Sequence, residues 1–368
     1  MRGAVKAFRH DSIRRILVRS VNWIGDAVMT TPALCVIREH FPHAEITILA
    51  NPMVSRLFLH HPGIDAIIPF DRQGKHHGVA GRLRLAAELR RHRFDLAIIL
   101  PNSFDSALVP WLAGIPARIG KCSDGRTLLL SGRYLTQGKT ACHEVEYYLN
   151  LLDFFGITGV RTPLHLSVTS EEENGAATLL SEYGIHPEDY VLGINPGASY
   201  GSAKRWYPDR FARTARRLAD EWSAKVIIFG GPGETAIASD IERHLEGTAV
   251  NMAGKTSVRE LMALIKRCNF FITNDSGPMH IAAAFDVPLV AIFGSTDHTG
   301  TSPYSGKAVV VRTDVECAPC KLRECPTDHR CMTSVTEESV ITAALELVEK
   351  LHQSEHCNIV TEGRYAPI

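Results

Sequence analysis

Apolar runs typical of buried strands alternate with amphipathic helical stretches along nearly the whole chain, and this alternation constrains the fold most strongly. Strand–helix–strand units with short connections favour a parallel sheet whose two faces are covered by helices. The predicted strands are "RRILVRS" (14–20), "AEITILA" (44–50), "FDLAIIL" (94–100), "YVLGIN" (190–195), "AKVIIFGG" (224–231), "NFFITN" (269–274) and "VPLVAIFG" (287–294). The pattern therefore predicts an α/β fold built from doubly wound parallel sheets.

The alternation occurs twice, in a chain whose 368 residues suggest two domains. The segment 156–175 is rich in turn-forming and charged residues and is interpreted as the linker. We predict domains at 1–165 and 166–335, followed by a C-terminal helix and tail at 336–368. In doubly wound sheets ligands bind outside the carboxyl ends of the strands, and the polar motifs below follow such ends.

Charge and hydropathy argue against two kinds of protein, nucleic-acid-binding proteins and membrane-spanning proteins. Lys plus Arg equals Asp plus Glu at 40 each, so no overall field favours nucleic acid. The basic stretch "GRLRLAAELRRHRF" (81–94) is typical of a solvated helix face. No apolar run reaches the roughly 18–20 residues of a membrane helix, and the N-terminus lacks a signal-peptide pattern. We expect a cytoplasmic protein, and a peripheral position on the inner face of the cytoplasmic membrane stays open.

The stretch "RSVNWIGDAVMTTPAL" (19–34) places a carboxylate just after the first strand. Gly25 allows a tight turn into a helix, and Asp26 lies in the first turn of that helix. A carboxylate there can simply complement the helix dipole, a contribution of about 0.3–1 kcal/mol. The other interpretation is a general base at the edge of a cleft.

The stretch "NPGASYGSAKRWYP" (195–208) joins a strand to a helix through small residues and two cations. Gly197 and Gly201 would let backbone N–H groups approach an anion closely, while Lys204 and Arg205 supply positive charge. The spacing differs from the phosphate-binding loop of nucleoside triphosphatases. The stretch predicts an anion site, and the alternative is a flexible loop with solvated cations.

The stretch "TNDSGPMHIAAA" (273–284) opens a small, apolar helix after another strand. Asp275, Ser276 and Gly277 are suited to the helix start, and His280 follows one turn later on the same face as Ser276 and Gly277. The residues alone leave two interpretations, a capped core helix with a buried histidine or part of a ligand site. The chain also lacks the Asp-x-Asp that often holds a metal under a sugar diphosphate. Helix N-termini and cations would then have to stabilise a leaving diphosphate.

The stretch "ECAPCKLRECPTDHRCM" (316–332) is a dense cysteine cluster, with His329 inside it. Two interpretations remain open for it: reduced thiols in a surface loop, or a structural zinc site, iron–sulfur site or redox-sensitive clip. The candidate metal ligands are Cys317, Cys320, Cys325 and Cys331.

Five stretches together resemble the family 9 glycosyltransferases, which include the ADP-heptose:lipopolysaccharide heptosyltransferases, and are most like the heptosyltransferase II type. The stretches are "WIGDAVMTTPAL", "LPNSFDSALVPWLAGIPARIG" (100–120), "NPGASYGSAKRWYP", "NMAGKTSVRELMALI" (251–265) and "TNDSGPMHIAAAFDVPLVAIFGSTD" (273–297). The resemblance implies the GT-B architecture: two Rossmann-like domains facing across a cleft, with the acceptor on the N-terminal domain and the ADP-sugar on the C-terminal one. It also implies inverting transfer of L-glycero-D-manno-heptose from ADP-heptose to the inner-core heptose of lipopolysaccharide, without a metal.

The resemblance also implies roles for particular residues. Asp26 would be the general base, Lys204 would bind the diphosphate, and Asp275 would accept hydrogen bonds from the heptose. The implied donor-binding residues are Ser202, Lys204, Arg205, Gly254, Lys255, Thr256, Asp275, Ser276, Gly277 and His280. The implied acceptor-binding residues are Asn22, Trp23, Arg118 and Arg126, although the arginines are equally compatible with ordinary surface charges.

Other functions remain compatible with these residues. One is a family 9 transferase with a different acceptor, of the heptosyltransferase I or III type. Another is a nucleotide-sugar-binding protein without turnover, and a third is a sugar-nucleotide epimerase of similar architecture. The expected partners are ADP-heptose and a lipopolysaccharide inner-core acceptor at the cytoplasmic membrane surface, with no nucleic acid.

Overall fold

The computed structural model describes residues 10–135 and 142–362, except for the side chains of Asp11 and of 355–362. The chain forms two compact units, Met1–Ser167 and Val168–Ile368. In the described part of the chain, no helix is long and apolar enough to cross a membrane.

The first unit is built on a parallel sheet. Its strands are β1 (Arg15–Arg19), β2 (Glu45–Ala50), β3 (Ala66–Pro69), β4 (Leu96–Ile99), β5 (Ala117–Lys121) and β6 (Gly132–Tyr134). They pair in the order β3-β2-β1-β4-β5-β6, and every pair is parallel. The apolar side chains of β1, β2 and β4 are almost fully buried, as expected for a sheet covered on both faces.

Helices cover the first sheet. They are α1 (Ile24–Met29), α2 (Thr31–His40), α3 (Pro52–Ser55), α4 (Gly78–His92), α5 (Phe104–Leu112) and α6 (Glu144–Phe154). The pattern of "GDAVMTTPALCVIREHF" (25–41) predicts one helix, but the stretch forms two, α1 and α2. The break lies at Thr30, which caps both helices, and Pro32 then begins the first turn of α2.

The second unit repeats the topology of the first. Its strands are β7 (Val191–Asn195), β8 (Lys225–Ile228), β9 (Ala249–Asn251), β10 (Phe270–Asn274), β11 (Leu289–Ile292) and β12 (Ala308–Val311). They pair in the order β12-β11-β10-β7-β8-β9, again with parallel neighbours. In both units the first strand pairs with the second and the fourth, which confirms the predicted α/β class with two doubly wound, Rossmann-like sheets.

The helices of the second unit include one that the linker interpretation missed. They are α7 (Ser170–Glu182), α8 (Pro208–Trp222), α9 (Thr235–His244), α10 (Val258–Arg267), α11 (Gly277–Ala284), α12 (His298–Thr301), α13 (Arg330–Thr333) and α14 (Glu337–Glu362). The charged run predicted as linker enters α7, because Thr169 and Glu172 form a reciprocal capping box there. The Arg259 side chain on α10 also donates to Glu172, so the acidic run is tied to its own unit.

The topology fixes where ligands can approach each sheet. In each unit the chain reverses its winding between the first and fourth strands, which opens a crevice at their carboxyl ends. Asp26 follows β1 at this point of the first unit. Lys204 follows β7 and Asp275 follows β10 at the equivalent point of the second unit.

Candidate active site

In the second unit, an ion pair bridges the two strands at the switch point. The Lys204 Nζ lies 2.6 Å from Asp275 Oδ2, and the two side chains are only 14% and 5% exposed. The Thr296 hydroxyl donates to the same carboxylate oxygen at 2.5 Å. The position of this cation is therefore fixed by its protein partners before any anion binds.

Side-chain hydrogen bonds lock the ends of β7 and β10 together beside this pair. The Asn195 Nδ2 donates to Ser276 Oγ at 3.1 Å, and Ser276 Oγ also lies 3.1 Å from Thr273 Oγ1. Asn274 accepts from the Trp206 backbone N–H at 3.0 Å and donates to the Pro196 carbonyl at 2.7 Å. The loop between β7 and α8 is therefore fixed from the neighbouring strand.

The helix α11 begins at this same edge. Ser276 is its N-cap in extended conformation, but its hydroxyl bonds the strand ends rather than the helix backbone. Gly277 is the first helical residue, and His280 is buried one turn later at 3% exposure. The structure thus places Asp275 in contact with Lys204, and Ser276 and Gly277 follow Asp275 directly at the start of α11. Asp275 itself is occupied by Lys204 and Thr296, contacts that the heptose assignment does not include.

The remaining predicted donor residues lie on two loops. Ser202 is exposed, and the Arg205 Nη2 donates to the Ala198 carbonyl at 3.3 Å. Gly254 follows β9 with a positive φ of 73°, which favours glycine, and its N–H donates to the Gly230 carbonyl at 2.9 Å. Lys255 and Thr256 continue this turn, with the Lys255 Nζ donating to the Asn251 carbonyl at 2.8 Å.

The cysteine-rich segment 316–332, here called the strap, packs against the cationic loop. The Arg323 carbonyl accepts from the Ala203 N–H at 3.0 Å, and a Cβ on Gly201 would lie 2.1 Å from that same oxygen. The Tyr200 hydroxyl donates to the Lys321 carbonyl at 2.9 Å. Because Gly201 has an extended φ of 164°, the need for glycine here comes from this close approach and not from backbone conformation.

The strap also places aromatic and cationic groups around Lys204. The Tyr200 ring lies 5.1 Å from the Lys204 Nζ and 5.2 Å from the Arg323 guanidinium carbon. These are cation–π distances, so the ring lies near two cations at the predicted anion loop. The Lys321 N–H donates to the Ser295 carbonyl at 2.7 Å, which fastens the strap to the end of β11 as well.

The prediction of a metal site in the strap is not supported by the described residues. Among them, no group of three or more His, Cys, Asp or Glu side chains is arranged to hold a metal ion. The ring nitrogens of His329 contact the Ala203 carbonyl and the Tyr207 hydroxyl, at 3.0 and 3.4 Å. The histidine in the pattern therefore holds the loop in place.

The strap cysteines are free thiols in different environments. Cys317 and Cys320 are exposed, Cys325 is partly buried and Cys331 is buried. Burial raises the pKa of Cys331 to about 11, and negative charge on the other three thiols adds to the effect. A Cβ on Gly294 would lie 3.0 Å from the Cys331 Sγ, so this thiol packs as a core side chain.

In the first unit, Asp26 has a second carboxyl group nearby. Asp26 lies in the first turn of α1, and Glu144 is the first residue of α6, which packs against α1. Burial raises the pKa of Glu144, and the charge of Asp26 raises it further, while Lys121 opposes both effects. Glu144 is therefore more readily protonated than an isolated glutamate. Burial also raises the pKa of Tyr148 on α6, and the negative charges of Glu144 and Asp26 raise it further.

Two of the predicted acceptor residues lie next to Asp26. Trp23 is the N-cap of α1 and is 52% exposed, so its ring is available to a ligand. Asn22 is also exposed, and its carbonyl accepts from the Asn51 side chain at 2.8 Å. The Arg19 Nη2 donates to the Asn22 Oδ1 at 3.2 Å, which fixes this turn at the end of β1.

The two predicted acceptor arginines are placed differently. Arg126 is fully buried, and its guanidinium donates to the Pro101 and Lys121 carbonyls and to the Ser106 hydroxyl. Arg118 lies near the amino end of β5, and its guanidinium donates to nearby backbone carbonyls. Arg118 therefore does not lie at the edge of the sheet where Asp26 lies. The contacts of Arg118 and those of Arg126 both fit a structural role.

Sequence reasoning missed three contributors to these sites. Thr296 follows β11 in "FGSTD", where a strand end could have suggested it. Glu144 opens α6 in "HEVEYY", and only the packing of α1 on α6 shows its closeness to Asp26. Arg323 acts through its backbone carbonyl, for which the sequence carries no signal.

Comparisons with known proteins identify the family of this chain. Residues 82–330 match the family model described as glycosyltransferase family 9 (heptosyltransferase). Lipopolysaccharide heptosyltransferase 2 of Salmonella typhimurium is 32% identical over 310 residues, which cover 81% of this chain and 88% of that protein.

Two solved structures align over nearly the whole chain. The ADP-heptose lps heptosyltransferase II of E. coli has a TM-score of 0.77 at 29% identity, covering 92% of this chain and 99% of that one. A family 9 glycosyl transferase of Veillonella parvula has a TM-score of 0.84 at 28% identity, covering 92% and 98%. These matches confirm the expected GT-B fold class. With the family model matching well over half of its length, this chain belongs to glycosyltransferase family 9, the heptosyltransferase family.

Proposed function

We propose that this chain transfers L-glycero-D-manno-heptose from ADP-heptose to the inner-core heptose of lipopolysaccharide, with inversion and without a metal ion. The Lys204–Asp275 pair at the switch point of the second sheet is the observation that carries the proposal. It supplies a fixed cation at the crevice where doubly wound folds bind nucleotides. The names of the similar proteins, heptosyltransferase 2 and heptosyltransferase II, support the choice of sugar and acceptor.

In the proposed mechanism, one group of residues removes a proton from the acceptor and another stabilises the departing ADP. Asp26 takes the proton from the acceptor hydroxyl, whose oxygen then attacks the anomeric carbon of the heptose. The bond from that carbon to the diphosphate oxygen breaks as the new one forms on the opposite face, which inverts the centre. Lys204 and the amides of Ser276 and Gly277, at the start of α11, neutralise the departing ADP.

The positions of the residues around Lys204 and Asp26 suggest which of them bind the donor and which bind the acceptor. Ser202 and Arg205 would flank the diphosphate, and the turn that contains Gly254, Lys255 and Thr256 would flank the adenosine. Asp275 and His280 complete the donor set, with Asp275 also holding Lys204 in place. On the acceptor side the exposed Trp23 ring and Asn22 are proposed contacts. Arg118 and Arg126 stay predictions.

Mass spectrometry of a truncated core acceptor ending in one heptose tests this function. Incubation with ADP-heptose should add one heptose and release an equal amount of ADP. Transfer to an acceptor that lacks the heptose would instead favour a different acceptor within the family. ADP-heptose consumed without acceptor would indicate an epimerase, and no ADP release with any acceptor would indicate a binding protein.

Two further measurements test the finer points of the mechanism. The anomeric configuration of the product by NMR should be opposite to that of the donor, and retention would contradict the single displacement. Turnover should be unchanged in excess chelator after dialysis against it. A loss that added divalent metal restores would contradict metal-independent transfer.

A further inference from the structure

The helices α4 and α5 lie side by side on one face of the first sheet. At their N-terminal ends the Arg82 guanidinium pairs with the Asp105 carboxylate. At their C-terminal ends the Arg90 Nη2 donates to the Leu112 carbonyl at 2.7 Å. Their inward side chains share one buried core, so the two helices present a fixed outer surface.

That outer surface carries large apolar side chains in contact with solvent. On α4, Val79 and Leu83 are exposed at a spacing of four residues, and on α5, Phe104 and Trp111 are exposed at a spacing of seven. Leu128, at 84% exposure, lies on the short turn Arg126–Leu129 that packs against α5. We call the surface formed by these five residues the α4–α5 face.

A hydrogen bond ties the loop before Leu128 to the start of α5. The Phe104 N–H donates to the Asp124 carboxylate at 2.6 Å, which fixes the start of α5 against the loop that leads to Leu128. In the described part of the second unit, the exposed large apolar side chains lie on three separate elements. They are Tyr183 after α7, Leu322 on the strap and Leu345 on α14. The clustering is therefore a property of the first unit.

The segment that contains α4 and α5 carries an excess of positive charge. The stretch 70–112 contains seven Lys and Arg against four Asp and Glu, whereas the whole chain has equal numbers. Two of those carboxylates are already paired, Asp105 with Arg82 and Arg72, and Glu88 with Lys75. The exposed cations are Arg72, Lys75, Arg84, Arg90, Arg91 and Arg93.

We propose that the α4–α5 face docks on an anionic lipid bilayer. Apolar side chains that insert among headgroups, with cations around them, are the combination that binds membrane surfaces. The inference deepens the proposed function and rests on it in one respect, because the lipid-linked acceptor would lie in that bilayer. The basic stretch at 81–94 then serves to attract the membrane, in place of the solvated face that composition alone indicates.

Vesicle binding by the full chain, without sugar nucleotide or acceptor, tests the proposal. Vesicles of phosphatidylcholine with about one third phosphatidylglycerol should sediment the protein, and phosphatidylcholine alone should not. Raising KCl from 0.1 to 0.5 M should weaken binding, because the Debye length shortens. Equal binding to both vesicle types, or no binding to either, would overturn the proposal.

Paired variants locate the surface. R84Q/R91Q should weaken vesicle binding about 25-fold, at about fivefold for each cation. L83Q/L128Q should weaken it about tenfold through lost apolar insertion. The matched controls R217Q/R243Q and V160Q/L345Q change exposed residues elsewhere and should bind like the parent chain. Equal losses in the controls would place the binding surface elsewhere and overturn the proposal.

Turnover on a deacylated, water-soluble acceptor separates this proposal from the proposed function. Both α4–α5 variants should match the parent on that acceptor and fall behind it only when the acceptor is embedded in vesicles. A chain that transfers heptose but binds no vesicles would overturn the docking face and leave the function standing. Self-association that R84Q/R91Q and L83Q/L128Q abolish would assign the face to a second copy and also overturn the proposal.

Discussion

The two units share one topology but carry different charged groups at the same point of the sheet. After the first strand of the second unit, the cation of Lys204 is neutralised by Asp275 and shielded from solvent. After the first strand of the first unit, Asp26 has another carboxyl group, Glu144, within electrostatic range. A doubly wound sheet supplies a crevice in both cases, and the side chains at strand ends decide whether that crevice suits an anion or a proton acceptor.

The difference also concerns rigidity. Lys204 is held by a short ion pair, by the Tyr200 ring and by a loop pinned to the strap. Trp23, beside Asp26, is half exposed, and Asp26 itself is only partly buried. The proposed donor side is thus formed in advance, whereas the proposed base at Asp26 is partly open to solvent.

The largest expected effect is a loss of turnover on substitution of Asp26, the residue at which the two units differ most clearly. Asp26→Asn removes a proton acceptor with little change of shape, so turnover should fall about 10²–10⁴-fold. Calorimetry should find the affinity for ADP-heptose unchanged, because the proposed donor residues belong to the second unit. Glu144→Gln is the matched control and should keep turnover within about tenfold. If Glu144→Gln loses turnover while Asp26→Asn keeps it, the base is Glu144.

The buried ion pair should contribute strongly to stability. Asp275→Asn leaves the Lys204 ammonium without its buried counter-charge, and the free energy of unfolding should fall by about 3 kcal/mol. Urea denaturation of the parent chain and the variant measures this difference. Asp286→Asn is the control, because its 2.7 Å pair with Lys307 is solvent-exposed and should contribute less than about 1 kcal/mol. Similar losses in the two variants would show that burial of the pair does not matter.

A smaller effect is expected at the contact between loop and strap. Gly201→Ala would bring a methyl group 2.1 Å from the Arg323 carbonyl, and since that atom is backbone, the strap or the loop must move. We expect a loss of about 1–3 kcal/mol in unfolding free energy and weaker ADP-heptose binding. Gly233→Ala, where a Cβ meets nothing within 4 Å, should change neither. Unchanged donor affinity in Gly201→Ala would mean that the strap does not shape the donor loop.

The smallest effect concerns the pH dependence of stability. The pKa of Glu144 is raised in the folded chain, so folding favours its protonated form and ionisation opposes folding. This contribution is fully present below the ordinary glutamate value of 4.5 and is lost as pH rises through the raised pKa. Relative to Glu144→Gln, the parent should therefore lose stability as pH rises from 4.5 toward neutrality. Denaturation midpoints across that range measure it, and parallel profiles would contradict the raised pKa.

Much of the fold could be predicted from the sequence, because strand burial and helix amphipathicity are local patterns. The strand ends before Asp26, Lys204 and Asp275 follow from apolar runs that stop at polar residues. Capping was harder to recognise: Thr169 and Glu172 start a helix inside a run whose composition indicates a linker. Thr30 likewise interrupts a continuous apolar pattern.

What could not be predicted depends on contacts between residues far apart in the chain. The Lys204–Asp275 bridge joins positions 71 residues apart, and the sequence places both residues at strand ends without pairing them. The buried environment of Arg126 arises because surrounding carbonyls point inward to accept its N–H groups. An arginine at this position suggests contact with an anionic ligand. In the folded chain, backbone carbonyls take the place of such an anion around Arg126.

The strap has a consequence for how the protein is made. The loop that contains Gly201 and Ala203 is held by Arg323, so a nascent chain that has not yet reached the strap lacks the support for that loop. The sheet of the second unit can begin to assemble from β7 to β11 during synthesis, since those strands precede the strap. If the proposed donor loop binds ADP-heptose, the growing polypeptide acquires that ability only after the strap has been synthesised.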